Sequence, residues 1–259
     1  MKGLVAVLIG MCALCAFLPS PHFGQFGGTF IGAIIAEDGV VIGSDSRSTF
    51  IDASGKRLGY VDHMQKVYVD HGAAVAVAGL TSVEDELFTS FMRKNDDLLT
   101  RPVDELLFGL ALKLPFKNTT SVLLISAGYL NGEATICAKA PAEPQTCRKS
   151  GYIASKSSTS LRRWLDARSG RMPSSSEAAA ALDQAIQESA DLDSTVGGPV
   201  TLLLVPKSGA PRWLKNPPGD NGWTRVCDVV ASYREGRTAI FFTNSKDELD
   251  RYLNSACPK

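Results

Sequence analysis

Between Thr29 and Gly43 the chain reads TFIGAIIAEDGVVIG, two short apolar runs joined by Glu37-Asp38-Gly39. Asp-Gly between apolar runs is a strong hairpin signal, because it suits the tight turn whose twist matches the flanking strands. A second strand pair is expected from Lys66 to Gly79 (KVYVDHGAAVAVAG), broken at Asp70-His71-Gly72. Val83 to Arg93 and Pro102 to Leu114 read as helical, the latter with Pro near its start and Leu106, Leu107, Leu110 and Leu112 in its apolar pattern. Ser121 to Tyr129 reads as a strand, and Asn131-Gly132 turns it into another, Glu133 to Ala138. Two more helical stretches follow, Thr159 to Ala167 and Ser176 to Ala190, then a strand, Val200 to Val205. Lys215 to Trp223 reads as a loop, Val226 to Phe242 as strand-like and Lys246 to Leu253 as helical. Strands and helices thus arrive in batches, which suits helices layered on antiparallel sheets better than a parallel βαβ sheet.

The chain has 259 residues, enough for one large domain or two small ones, and 44% are hydrophobic. Its 27 Lys and Arg balance 27 Asp and Glu, and no Lys/Arg-rich run occurs, which argues against nucleic acid as the main partner. Met1-Lys2 precedes an apolar run from Leu4 to Leu18. That run is short for a bilayer span, so a secretory signal is expected, with a retained anchor as the alternative. Met11 and Leu14 precede Cys12 and Cys15, where a lipoprotein signal wants a small residue. Beyond the signal lie Cys137, Cys147, Cys227 and Cys257, an even number that suits an oxidising, secreted or periplasmic location. Four cysteines allow three connectivities; Cys137–Cys147 and Cys227–Cys257 is the expectation, since each pair lies within one local unit. Four free thiols are the alternative. No CxxC occurs, which speaks against structural zinc.

The stretch GTFIGAIIAEDGVVIGSDSRST, from Gly28 to Thr49, resembles the opening of a proteasome β subunit. The resemblance implies a four-layer αββα sandwich of two antiparallel sheets flanked by helices, the α+β architecture of an N-terminal-nucleophile hydrolase. It also implies that the Gly28-Thr29 bond is cut by the protein itself. Thr29 then becomes the nucleophile and its α-amine the base. Such an arrangement is chemically reasonable. A threonine hydroxyl needs a base beside it, and an α-amine titrates near pH ~8. Without a gap from Thr29, Asp45 falls on the family's invariant aspartate, and Arg47 and Thr49 on its neighbouring arginine and threonine.

Lys66, opening the strand KVYV, takes the catalytic lysine position, with Lys56 as rival. Lys66 requires an insertion of about five residues in the loop Phe50–Gln65, which loops tolerate at low entropic cost. A protonated lysine paired with Asp45 lowers the amine's proton affinity by like-charge repulsion. Gly79, in the step Ala78-Gly79, is expected to offer a backbone N–H to an oxyanion, and Thr49 to bind substrate backbone. Ser155, in ASKS, stands where the family has Gly-Ser-Gly and is expected to support the threonine's amine. Asp193, four residues before Gly197-Gly198, takes the supporting aspartate position, with Asp191 as alternative. Val196 replaces the family's serine, and both glycines around Ser155 are missing, so the supporting network departs from the family pattern.

The implied activity is hydrolysis of peptide or other amide bonds, with no cofactor and no metal. Residues 1–28 are read as signal plus short propeptide, 29–214 as the hydrolase domain and 215–259 as an extension packed on it. The partners expected are a peptide or protein substrate and further copies in an oligomer or ring, with no membrane once the signal is removed. His22, His63 and His71 form no triad or metal constellation, and no GxSxG or phosphate-binding loop occurs. A non-catalytic, proteasome-like assembly or binding protein is the second reading, and a small-amide amidase is a variant of the first.

Overall fold

The structure is a computed structural model and describes residues 29–51, 56–70, 72–79, 82–83, 86–114, 122–140, 143–168, 170–219 and 221–258. The signal, His22, Gly28 and His71 lie outside the described residues.

The opening hairpin is formed by β1 (Ile31–Ala36) and β2 (Gly39–Ser44), and every residue of both strands is buried. Three more strand pairs continue the chain: β3 (Ser48–Ile51) with β4 (Arg57–Val61), β5 (Val67–Asp70) with β6 (Ala73–Ala78), and the short β7 (Ser82–Val83) with β8 (Glu86–Leu87). Helix α1 (Phe88–Lys94), a 3-10 turn (Asp96–Thr100) and helix α2 (Val103–Lys113) follow. Next come β9 (Leu123–Leu130), β10 (Glu133–Lys139), β11 (Thr146–Arg148), β12 (Tyr152–Ala154) and helices α3 (Thr159–Asp166) and α4 (Ser175–Leu192). The chain ends with β13 (Thr201–Pro206), β14 (Arg212–Lys215), α5 (Val226–Arg234), β15 (Phe241–Phe242) and α6 (Lys246–Ala256).

One antiparallel sheet runs β12-β1-β2-β13-β14 and another β11-β10-β9-β6-β5. Alternation divides each strand's side chains between two faces. Ile31, Ala33, Ile35, Val40 and Ile42 from the first sheet share one buried cluster with Ala74, Ala76, Ala78, Ile125 and Ala127 from the second. The opposite face of the first sheet, with Phe30, Ile34 and Val41, packs with Ala178, Leu182, Ala185 and Ile186 of α4. Val75, Val77 and Leu124 of the second pack with Leu106, Leu107 and Leu110 of α2. Pro102 gives α2 no side-chain cap, so burial of those leucines, roughly 1.5–3 kcal/mol each, is what holds it. Helix α4 has both: an apolar face and a capping box of Ser174 and Glu177.

The architecture is α+β, but the expected four-layer αββα sandwich of two sheets is corrected by the strand pairing. The strands form four sheets among the described residues: two of five strands, one of three (β15-β4-β3) and one of two (β7-β8). The two-stranded sheet falls where a helix was read from Val83, and the three-stranded one in the stretch Phe50–Gln65, read as a loop with an insertion of about five residues. Leu58 and Val61 are buried there, so the stretch forms a hairpin and builds a further core. Met64, Val229, Val230, Leu249 and Leu253 complete that core. Two other readings are corrected. Val226 to Phe242 is mainly helix α5 rather than strand, and the helix read from Val83 begins at Phe88.

Cys137 pairs with Cys147 directly opposite it on neighbouring strands, and Cys227 at the start of α5 pairs with Cys257 just beyond α6. Both are the connectivities expected from local spacing. No described helix is long and apolar enough to cross a membrane.

Candidate active site

Strand register assembles the site. Ile31 pairs with Ser44, so one step further the ladder sets Phe30 against Asp45, with the Asp45 N–H donating to the Phe30 carbonyl at 3.1 Å. On the other flank Gly32 pairs with Ala154, and the Ser155 N–H donates to the Ile31 carbonyl at 2.9 Å. Thr29 therefore enters the sheet between Asp45 and Ser155. Lys66 immediately precedes β5 in the second sheet, where its carbonyl accepts from the Val77 N–H at 3.0 Å.

The Lys66 ammonium donates to Thr29 Oγ1 at 2.9 Å, to Asp45 Oδ1 at 3.0 Å and to the Arg47 carbonyl. An ammonium has three donors, and each has an acceptor here. Among the described residues Asp45 is met by four donors: Phe30 N–H and Lys66 at Oδ1, Arg47 N–H and Gly197 N–H at Oδ2. That is the coordination of an ionised carboxylate. Thr29 and Lys66 are each 4% exposed and Asp45 is fully buried, so water screens this pair little. Burial pushes the Asp45 carboxyl up from its ordinary value, against the pull of Lys66 and the Gly197 N–H. Burial likewise pushes the Lys66 ammonium down, against the attraction of Asp45.

The remaining residues singled out by sequence take varied places. Ser155 accepts from the Ile31 N–H at 2.9 Å and donates to the Thr29 carbonyl at 3.2 Å, so it fixes the two peptides that flank Phe30. Arg47 gives its N–H to Asp45 and its carbonyl to Lys66, while its side chain pairs with Asp62. Gly79 follows β6 in an exposed left-handed position, φ 81°, two residues beyond the Val77 that pairs with Lys66. Thr49 lies on β3, its hydroxyl buried and without a hydrogen-bond partner among the described residues. Asp193 caps α4 and bonds Lys156 and Thr195. Desolvation pushes its carboxyl up, but the Lys156 ammonium and the Thr195 donors outweigh it and hold the group down to about 2. Its rival Asp191 is exposed on α4, and Lys56 pairs with Glu248 at 2.6 Å on the surface.

Sequence reasoning missed Asp62 and Lys156. Asp62 sits in the stretch taken for a loop. Lys156 stands next to Ser155, and only the fold brings it to Asp193. Among the described residues no group of three or more His, Cys, Asp or Glu side chains could hold a metal ion.

Chemically, the arrangement presents a buried hydroxyl to an ammonium whose charge is balanced by a carboxylate. No family model matches the chain, and no curated protein matches it.

Proposed function

We propose that this chain is the precursor of an exported hydrolase that cleaves amide bonds with an N-terminal threonine. The single observation carrying the reading is the buried Lys66 ammonium bridging Thr29 Oγ1 and Asp45 Oδ1. The two disulfides support a secreted or periplasmic location. Away from cytosolic unfolding machines, the substrate is a peptide or an already unfolded protein segment.

In the first step Thr29 Oγ attacks the Gly28 carbonyl and the C–N bond breaks. The acyl group moves from nitrogen to oxygen, and water hydrolyses the resulting ester. The products are a Gly28 carboxylate and a free Thr29 α-amine. In each later turnover that amine takes the Thr29 hydroxyl proton as Oγ attacks a substrate carbonyl. The leaving amine receives the proton, and water, activated by the same α-amine, hydrolyses the acyl-threonine. Lys66 keeps the amine neutral at working pH by like-charge repulsion, and Asp45 holds Lys66 in place. The Gly79 N–H stabilises the tetrahedral oxyanion.

A fluorogenic-peptide assay on the secreted protein tests this. Wild type should hydrolyse the amide and Thr29→Ala should show none of that activity. A Thr29→Ala protein as active as wild type contradicts the reading; a folded, secreted wild type without amidase activity favours a non-catalytic binding role.

A further inference from the structure

Three segments meet behind the Asp45–Lys66 pair: residues 45–47 and 62–64, which flank the β3–β4 hairpin, and residues 194–198 from far along the chain. Ser46 stitches them through its backbone, donating to the Gly197 carbonyl at 3.1 Å and accepting from the Met64 N–H at 2.9 Å. The side chain of Arg47 runs through the same junction. Its Nε and Nη2 donate to the two oxygens of Asp62 at 2.8 and 3.1 Å, and Nη1 donates to the Ser194 carbonyl at 2.9 Å. The guanidinium lies 3.8 Å from the centre of the Tyr60 ring, and both ionic side chains are largely buried, at 16% and 17% exposure. Gly197 is needed beneath it, since a Cβ there would meet Arg47 Cζ at 2.7 Å. Forked pairing of this kind fixes orientation as well as charge.

Arg47 is also the residue whose backbone holds both halves of the ion pair, N–H to Asp45 and carbonyl to Lys66. From this geometry we infer that Asp62 is a positioning residue for the threonine hydrolase: by clamping the Arg47 side chain it fixes the Arg47 peptide groups that orient Asp45 and Lys66. The inference rests on the hydrolase reading above. Asp62 has a second effect through space. Its negative charge offsets Arg47, and without it an uncompensated, partly buried guanidinium raises the positive potential at Lys66 and at the Thr29 amine. A more positive potential disfavours protonation, so the proton affinity of both groups falls. On its far side Asp62 lines a cleft of about 430 Å³ with His63, Asn221 and Arg237, so a change there meets solvent on one face.

The test uses full-length precursor, with mature protein quantified by mass spectrometry and rates normalised to it. kcat and KM for a fluorogenic peptide are measured from pH 5 to 10 in wild type, Asp62→Asn and Asp62→Glu, with circular dichroism melts on each. Asp62→Asn should lower kcat about 10- to 100-fold with KM within about twofold, as slight misplacement of catalytic groups does. It should also move the acidic limb of the kcat profile to lower pH by about half a unit or more. Asp62→Glu, which keeps the charge, should leave that limb at its wild-type position and recover much of kcat. Wild-type kcat and an unmoved limb in Asp62→Asn would overturn the inference while leaving the hydrolase reading intact. So would a kcat loss with a lowered melt and an unmoved limb, which marks a merely structural role. A wild type with no Thr29-dependent activity overturns both.

Discussion

Lys66 reaches from the edge of one sheet to a threonine and an aspartate in the other, and its burial sets how its variants must be read. Removing one partner of a buried, hydrogen-bonded pair leaves the other charge uncompensated, at a cost of roughly 3–5 kcal/mol. Lys66→Ala should therefore lose amide hydrolysis by about 10²- to 10⁴-fold and also melt at lower temperature. The double variant Asp45→Asn, Lys66→Met removes both charges. It should recover most of the lost melting temperature and none of the activity; recovery of activity would contradict the catalytic role proposed for the pair. Asp193 gives a separate pH prediction. Its carboxyl is held at about 2 against an ordinary 3.8, so the folded chain favours the ionised form. The stability from this group is present above pH 3.8 and is lost as the pH falls towards 2. The gap in melting temperature between wild type and Asp193→Asn should shrink across that window. A gap that stays constant from pH 5 to pH 2 would contradict the assignment. Thr29, Asp45 and Ser155 were singled out through a resemblance rather than through strand pairing; the β1–β2 register sets Asp45 beside Phe30, and β12, which was not foreseen, sets Ser155 beside Ile31. Asp62 and Lys156 were not: Asp62 faces Arg47 one step beyond the Ser48–Val61 pair of a hairpin that was read as a loop, and Lys156 meets Asp193 from 37 residues away.

The elements show where local pattern is enough and where composition misleads. The β1–β2 hairpin was plain from Asp-Gly between apolar runs, and α4 from its alanines and serine start. Helix α5 was misread because Val226, Val229, Val230, Ile240, Phe241 and Phe242 make the stretch rich in strand-forming types. Its spacing held the better signal: Val226, Val229, Val230 and Tyr233 lie at i, i+3, i+4 and i+7, and all four pack into one core. That core is tied by Cys227–Cys257, which closes a separation of 30 residues. On chain-entropy grounds the bridge contributes about 3–4 kcal/mol. Cys227→Ser with Cys257→Ser should lower denaturant stability by about that amount. An unchanged unfolding midpoint would show that the segment's apolar packing alone holds it.

For the whole molecule, the strand-and-helix order led to α+β with antiparallel sheets, while the count of sheets did not follow from it. Whether Phe50–Gln65 is loop or hairpin depends on Leu58 and Val61 finding Val230, Leu249 and Leu253 far along the chain. Such long-range burial leaves only a faint period-2 trace in a stretch containing Gly55 and Gly59. Thr29 was singled out by the resemblance carried by Gly28–Thr49, and the proposed function rests on it. The most direct measurement is the N-terminal residue of the active, secreted protein, by Edman degradation or intact mass. Thr29 should be that residue in wild type, and a Thr29→Ala protein should retain Gly28 and residues before it. An active wild-type enzyme whose chain begins upstream of Thr29, or a Thr29→Ala protein cut at the same bond, would contradict the proposed function.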